Sequence, residues 1–404
     1  MKKSLLLLLS ALLCLISFAS CKSETDLPEE TSAPEVTETT PPEVFTPVLP
    51  KVPTNDEARK IVVDYMKEMA GIRWICKEKM DYREVVSFTS GLIYNVGHEY
   101  YGLPYVGGTS NAQKFLSKLD ENGNYVGSPL WSEVPGNTCA SSIYVAYTTI
   151  STDDTNASST ENYFPSAGKG MVPVGDYSLD KVKDIKKTLT TDIVRANGQD
   201  RMSEAMACLR PGDVVLSRWA AGSAVNGHTR LVSSLPTIVR YDNGKINVRE
   251  STIALCEQCS SFDERDRKHI STWKVDEVFT FSDLLGDGYI PLTLEELALD
   301  SFEAPEVTVT GLTKPEKITA ENMLKGTIRS NYKIFEVHVT ISDENGNRVA
   351  GIDRLVNDKT VQLPEIHYDN DVTSLPAGTY HFRMDIRIGL GTFTYSDFTF
   401  TVEK

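Results

Sequence analysis

Toward its C-terminal end the sequence repeats one pattern: Phe335, Val337, Val339 and Ile341, then Tyr380, Phe382, Met384, Ile386 and Ile388, then Phe398, Phe400 and Val402. Apolar residues at every second position fit only the strand, where alternate side chains leave opposite faces. Asn345-Gly346 and Pro376-Ala377-Gly378 stand between the runs and supply the turns. The pattern predicts an all-β unit over 303–404, an immunoglobulin-like β-sandwich. No cysteine lies in it.

The preceding residues follow a different rule. In residues 56–70, Ile61, Val62, Tyr65, Met66 and Met69 recur at helical spacing, and Gly71 ends the pattern. Apolar-rich runs at 212–216, 229–232, 236–241 and 245–250 read as strands, with Asp242-Asn243-Gly244 as a hairpin turn. The expectation is an α+β domain over 55–302, helices first and a small antiparallel sheet after them. Two domains also suit a chain of 404 residues.

Lys2 and Lys3, the apolar run Leu5–Phe18, and Ala19-Ser20 form a secretory signal over residues 1–20. Phe18-Ala19-Ser20-Cys21 resembles the lipobox of bacterial lipoproteins, with Phe where Leu is usual. That resemblance implies lipidation of Cys21 and an extracytoplasmic protein anchored to the bacterial cell membrane; the alternative is a plain signal cut near Ser20. Residues 22–54 carry seven prolines and seven acidic residues, too little apolar surface to offset the entropy of ordering. They read as an extended tether, so residues 21–54 make a lipidated cysteine and linker.

Charge narrows the partners. Lysine and arginine total 41 against 56 acidic residues, a formal charge of −15, with no basic stripe. Nucleic acid is excluded as a partner, because phosphate binding needs clustered cations.

Nucleophilic chemistry by a thiol needs a lowered pKa, which a helix N-terminus and a neighbouring imidazole supply. Pro135-Gly136-Asn137 forms a turn before Cys139, and small residues then lead into an apolar run, Ile143-Tyr144-Val145-Ala146-Tyr147. Cys139 therefore falls in the first turn of a predicted helix. Taken alone, a small buried cysteine is the simpler explanation. Further on, Leu209-Arg210-Pro211-Gly212-Asp213-Val214-Val215 precedes Gly227-His228-Thr229-Arg230, which sets His228 at the start of a strand.

These pieces, together with Gly102-Leu103-Pro104-Tyr105-Val106-Gly107-Gly108, resemble the NlpC/P60 superfamily of papain-like cysteine peptidases and amidases, which includes the CHAP domains. The order of the motifs is the family's, over roughly residues 72–255. The resemblance implies a papain-like α+β fold with Cys139 as nucleophile, His228 as general base and Glu250, on the strand after the Asp242-Asn243-Gly244 turn, as the orienting acid. It also implies that Tyr105 and Thr138 border the substrate. Thr138-Cys139-Ala140-Ser141 stands where the family has Asp-Cys-Ser-Gly, a change that bears on substrate preference. The polar insertion at 151–208 reads as a lid over the cleft or as a solvated decoration.

The implied reaction is hydrolysis of amide bonds in peptidoglycan or other cell-wall peptides, with no metal and no cofactor. Cys256-Glu257-Gln258-Cys259 has metal-ligand spacing but lacks a second pair. Cys76, Cys208, Cys256 and Cys259 could equally pair as disulfides in an exported chain. Two other classes stay open: a non-catalytic surface binding lipoprotein, and a transglutaminase-like acyl transferase.

Overall fold

Thr54 accepts from the amide of Glu57 while Glu57 accepts from the amide of Thr54, and this capping box starts the helix Asn55–Gly71 in the computed structural model. The structure describes residues 45–86, 89, 91–153, 159–263, 269–311, 326–363 and 375–402. The signal peptide of residues 1–20, Cys21 and the linker as far as residue 44 lie outside the described residues. Among those described, no helix is long and apolar enough to cross a membrane. Phe45–Lys404 forms one compact unit, mixed α+β with strand outweighing helix.

The first helix buries Val62, Tyr65, Met66 and Met69, the face its spacing predicts. Behind it stands a six-stranded sheet in the order Trp273–Thr280, Thr252–Gln258, Ala224–Val232, Val214–Ala221, Ile290–Leu294 and Met171–Pro173, every neighbouring pair antiparallel. A three-stranded sheet of Glu99–Tyr101, Arg73–Cys76 and Asn124–Tyr125 accompanies it. The predicted strands 236–241 and 245–250 shrink to single pairs, Thr237 with Thr252 and Arg240 with Ile246, around a tight turn at Gly244. The strand that belongs to the sheet begins only at Thr252.

Pro211-Gly212-Asp213 has a structural task. Arg59 of the first helix donates to Asp213 Oδ1 at 2.7 Å and to the Pro211 carbonyl at 2.9 Å, and both side chains of the ion pair are buried. Gly212 takes φ +85° with its Cα hydrogen toward Arg59, a backbone state that suits glycine. The motif thus ties the helix to the start of strand Val214–Ala221. Asp213→Ala strands the Arg59 charge in the interior and is expected to cost about 3–5 kcal/mol, read as a lower urea midpoint.

The C-terminal strands differ from the sandwich expected of them. Among the described residues they join into one five-stranded antiparallel sheet rather than two facing ones. Thr327–Ser342 runs for 16 residues and pairs with Arg348–Gln362 on one edge. On its other edge it pairs first with Val307–Thr310 and then with Gly378–Ile388, which in turn pairs with Gly391–Val402. A register shift between Ile334 and Glu336 reverses the inward parity, so that Ile328, Tyr332 and Ile334 are buried up to it and Val337, Val339 and Ile341 after it. One long, bulged strand thus links pairings that would otherwise belong to separate sheets.

This sheet packs against the first helix of the α+β part. Phe335 stacks on Tyr65 with ring centroids 5.2 Å apart, and Arg387 bridges Glu68 at 2.7 Å and Glu336 at 2.9 Å.

Candidate active site

Backbone pairing positions the helix that carries Cys139. Val106 donates to the Asn137 carbonyl at 3.0 Å and Asn137 to the Pro104 carbonyl at 3.1 Å, while the Asn137 side chain bonds both backbone groups of Ser110. Tyr105 is thereby fixed beside Asn137 and Thr138. Thr138 then caps the helix Cys139–Tyr147: its amide donates to Ser141 Oγ at 2.7 Å and its hydroxyl accepts from the Ser141 amide at 3.3 Å. The capping box uses the amides of Thr138 and Ser141. Those of Cys139 and Ala140 have no hydrogen-bond partner among the described residues and face out of the helix start, as first-turn amides must.

His228 comes from the central strand Ala224–Val232. Gly227 before it lies so close to Thr160 that a Cβ would stand 2.6 Å from the threonine hydroxyl, so only glycine fits. On the neighbouring strand Leu231 pairs with Cys256, and continuing that register sets Arg230 opposite Glu257 and His228 opposite Cys259. The acid that meets the imidazole is Glu257: its Oε2 lies 2.5 Å from His228 Nε2 and accepts from Arg230 Nε at 2.7 Å. Lys274, paired with Glu257 on the next strand, brings its ammonium to 3.3 Å from Oε1.

Glu250, expected in this place, lies exposed in the turn before Thr252–Gln258. The strand that follows the Asp242-Asn243-Gly244 turn is displaced by several residues from where the alternation of Ile246 and Val248 put it, and the acidic position moves with it. A signal for Glu257 existed. It is the single carboxylate in the buried strand Thr-Ile-Ala-Leu-Cys-Glu-Gln, where a charge must be paired.

Besides Glu257 at Nε2, the imidazole is hydrogen-bonded to the thiols of Cys139 and Cys259. Burial alone pushes the Cys139 thiol up, but the charge of His228 and its hydrogen bond, with a further bond from the Thr229 amide, outweigh this and hold the thiol below its ordinary range. His228 moves the other way. Burial pushes it down, and the Cys139 charge together with hydrogen bonds to Cys139, Cys259 and Glu257 holds it well above the usual imidazole range. Both directions describe one coupled state, a thiolate facing an imidazolium. Glu257 is likewise held far below the usual carboxylate range despite its burial, by His228 and Arg230. Burial and then the charge of Cys139 push Tyr105 up, which keeps its phenol neutral.

Cys139 is only 6% exposed, yet it sits at the floor of a cleft of about 830 Å³ lined by Tyr105, Thr138, His228, Glu257 and Cys259. The insertion forms one wall of that cleft. Residues 159–208 hold two short turns, the edge strand Met171–Pro173 and the helices Thr190–Asn197 and Gln199–Ala207. Ser159, Thr160 and Thr191 face the opening, and the Tyr163 hydroxyl donates to the Ala140 carbonyl at 2.7 Å. The segment is built into the domain, so neither a solvated decoration nor a loose lid describes it; residues 154–158 lie outside the described residues.

No disulfide joins the described cysteines: Cys76, Cys139, Cys208, Cys256 and Cys259 are all free thiols. The spacing of Cys256 and Cys259 does not make them joint ligands, because Cys256 is buried in the core while Cys259 lines the cleft. His228, Glu257 and Cys259 each bring a donor atom within 4.8 Å of the others. A divalent cation there would stand against Arg230 and Lys274 on the same carboxylate. The electrostatics favour a proton on His228 over a metal ion.

No protein-family model matches the chain, and no curated protein matches it.

Proposed function

We propose that the chain is a cysteine hydrolase of amide bonds that works outside the cytoplasm from a lipid-anchored tether, with peptidoglycan stem peptides as its substrate class. One observation carries the reading. A thiol at a helix start is hydrogen-bonded to an imidazole whose Nε2 is held 2.5 Å from a buried carboxylate. That is the arrangement nucleophile, base and orienting acid require, and it recurs on unrelated folds. The secretory signal, the lipobox-like Cys21 and the motif order of papain-like NlpC/P60 enzymes supply the location and the substrate class.

The reaction follows from the charges. The Cys139 thiolate attacks the amide carbonyl, and the free amides of Cys139 and Ala140 are placed to receive the negative oxygen. His228, as imidazolium, gives its proton to the departing amine, leaving a thioester and a neutral imidazole. His228 then takes a proton from water as the water attacks the thioester, the acid is released, and the proton on His228 stands again beside the restored thiolate. Glu257 keeps Nε2 protonated and stabilises the cation through each proton transfer. Tyr105, a neutral donor at the cleft floor, and Thr138 border the reacting carbonyl.

The test is product analysis in heavy-oxygen water, with the intact chain and its Cys139→Ala variant on purified stem peptides. The expected result is a new amino group and one heavy oxygen per cut, both absent with the variant. Uncut stem peptides would remove them as substrate, and a product formed equally by Cys139→Ala would remove the thiol mechanism. Transfer of the acyl group to an added amine in preference to water would make the protein an acyl transferase instead.

A further inference from the structure

Beside the thiol and imidazole, the cleft holds a guanidinium with more donors than the protein uses. Arg230 stands two positions beyond His228 on the same strand, so both side chains share a face. Its carbon centre lies 4.1 Å from the ring centroid of Phe279 and 4.6 Å from that of Tyr289, contacts that hold the fork in one orientation. Nε is committed to Glu257 at 2.7 Å. The two terminal nitrogens have no hydrogen-bond partner among the described residues, although the side chain is only 13% exposed and what remains open faces the cleft. A guanidinium carries five donors in a planar fork, four of them on those nitrogens. Neither nitrogen is sealed from solvent, so both reach the cleft, where a ligand's acceptor can take the place of water.

Lys274 extends the feature. Arg230, Glu257 and Lys274 come from three adjacent strands and form a row across the sheet, with both cations lining the cleft. Lys274 shares its charge between Glu257 at 3.3 Å and Glu277 at 3.4 Å, so its charge is balanced within the protein, while Arg230 adds the planar fork.

We infer that Arg230, with Lys274 beside it, forms a subsite for a substrate carboxylate. The inference rests on Cys139 being the nucleophile of an amide hydrolase and adds the substrate feature which that hydrolase reads. Geometry limits where the carboxylate sits. Strand residues two apart are separated by about 7 Å, the span of about two residues of extended peptide. The preferred substrate therefore carries a free carboxylate within about two residues of the scissile carbonyl. The guanidinium fork takes both oxygens in parallel bonds, a geometry lysine cannot reproduce.

The experiment uses pairs of synthetic peptides identical except that one bears a carboxylate and the other a carboxamide at that place. Binding of each to the full-length Cys139→Ala chain is measured by calorimetry, and cleavage of each by the intact chain and by Arg230→Gln is followed in parallel. The carboxylate peptide is expected to bind and react about 10- to 100-fold better, in line with a charge-assisted hydrogen-bond pair. Arg230→Gln should erase that preference mainly through KM, while Arg230→Lys keeps part of it. An arginine serving only to hold Glu257 would lower cleavage of both peptides alike and shift the pH profile without changing their ratio; that result overturns the subsite. Equal binding of the two peptides, or binding of neither, overturns it too. Alkylation of Cys139 in the intact chain reports separately on the nucleophile: a fast thiol there with no preference for the carboxylate peptide sinks the subsite alone, and a slow thiol sinks the hydrolase.

Discussion

Replacing His228 by alanine is expected to slow alkylation of Cys139 by iodoacetamide at pH 6 by at least about 100-fold, with Cys76, Cys208 and Cys256 unchanged and Cys259, which also loses its imidazole partner, no faster. The magnitude comes from ionisation. An ordinary thiol, with a pKa near 8.5, is about one part in 300 thiolate at pH 6. In the intact protein burial opposes ionisation and the imidazolium more than compensates, which holds Cys139 below the ordinary range. Without His228 the burial remains and the compensation is gone, so the thiol rises. Mass spectrometry of each cysteine over pH 5–9 separates the sites: Cys76 and Cys256 are buried and pushed up, and Cys208 is exposed. Equal rates at Cys139 with and without His228 would dissolve the pair, and the non-catalytic binding protein would then be the better reading.

The same pair sets the shape of the activity profile. Turnover needs the thiolate, so its acid limb follows Cys139, whose lowered pKa moves that limb to lower pH. It also needs the imidazolium, so its alkaline limb follows His228, whose raised pKa moves that limb to higher pH. The two displacements widen the plateau on both sides. The limits are macroscopic values of the coupled pair and belong to neither residue alone.

What the sequence reveals about this site follows how local each signal is. The helix at Cys139 is written in consecutive residues, a turn and then an apolar run, and Thr138 and Ser141 add a cap that needs no distant partner. Gly227-His228 is equally local, since the glycine admits Thr160 and the strand presents the imidazole. The acid is different. Its identity depends on the register between two strands, and register is set by pairing across the sheet, which no single stretch encodes. Alternation at Ile246 and Val248 suggests a strand one element too early, because buried apolar residues beside a turn can alternate with polar ones as strand residues do. The C-terminal sheet departs from expectation for a similar reason. Period-two runs at 335–341 and 380–388 mark strands correctly, but how the strands join depends on a bulge between Ile334 and Glu336 whose partners Ile388 and Arg387 lie over 50 residues away. The insertion at 151–208 reads as polar and irregular, while its edge strand Met171–Pro173 exists through pairing with Ile290–Leu294.

Glu257→Gln is expected to separate the two halves of the chemistry: alkylation of Cys139 stays fast at pH 6, while turnover falls about 10- to 100-fold and the alkaline limb of the profile moves to lower pH. The amide keeps the size and a hydrogen bond of the glutamate but removes its charge. Arg230 and Lys274 then stand beside His228 without the anion that faced them, 2.7 and 3.3 Å away in the native protein. Arg230, uncompensated, and Lys274, balanced only by Glu277 at 3.4 Å, oppose the cation on His228, so the imidazolium loses stability and its pKa falls. The same cations favour a thiolate, which keeps Cys139 reactive toward iodoacetamide. The leaving amine, however, now lacks its acid. Unpaired cations should also weaken the fold, so the variant's urea midpoint is measured beside its rates and turnover is compared only where it is folded. Glu250→Gln is the control, since Glu250 is exposed and outside the cleft; it should leave alkylation, turnover and both pH limbs unchanged. If Glu250→Gln, and not Glu257→Gln, lowered turnover, the assignment of the acid would be reversed. Parallel loss of alkylation and turnover in Glu257→Gln would mean that the carboxylate sustains the thiolate as well as the acid, and the division of roles drawn here would fail.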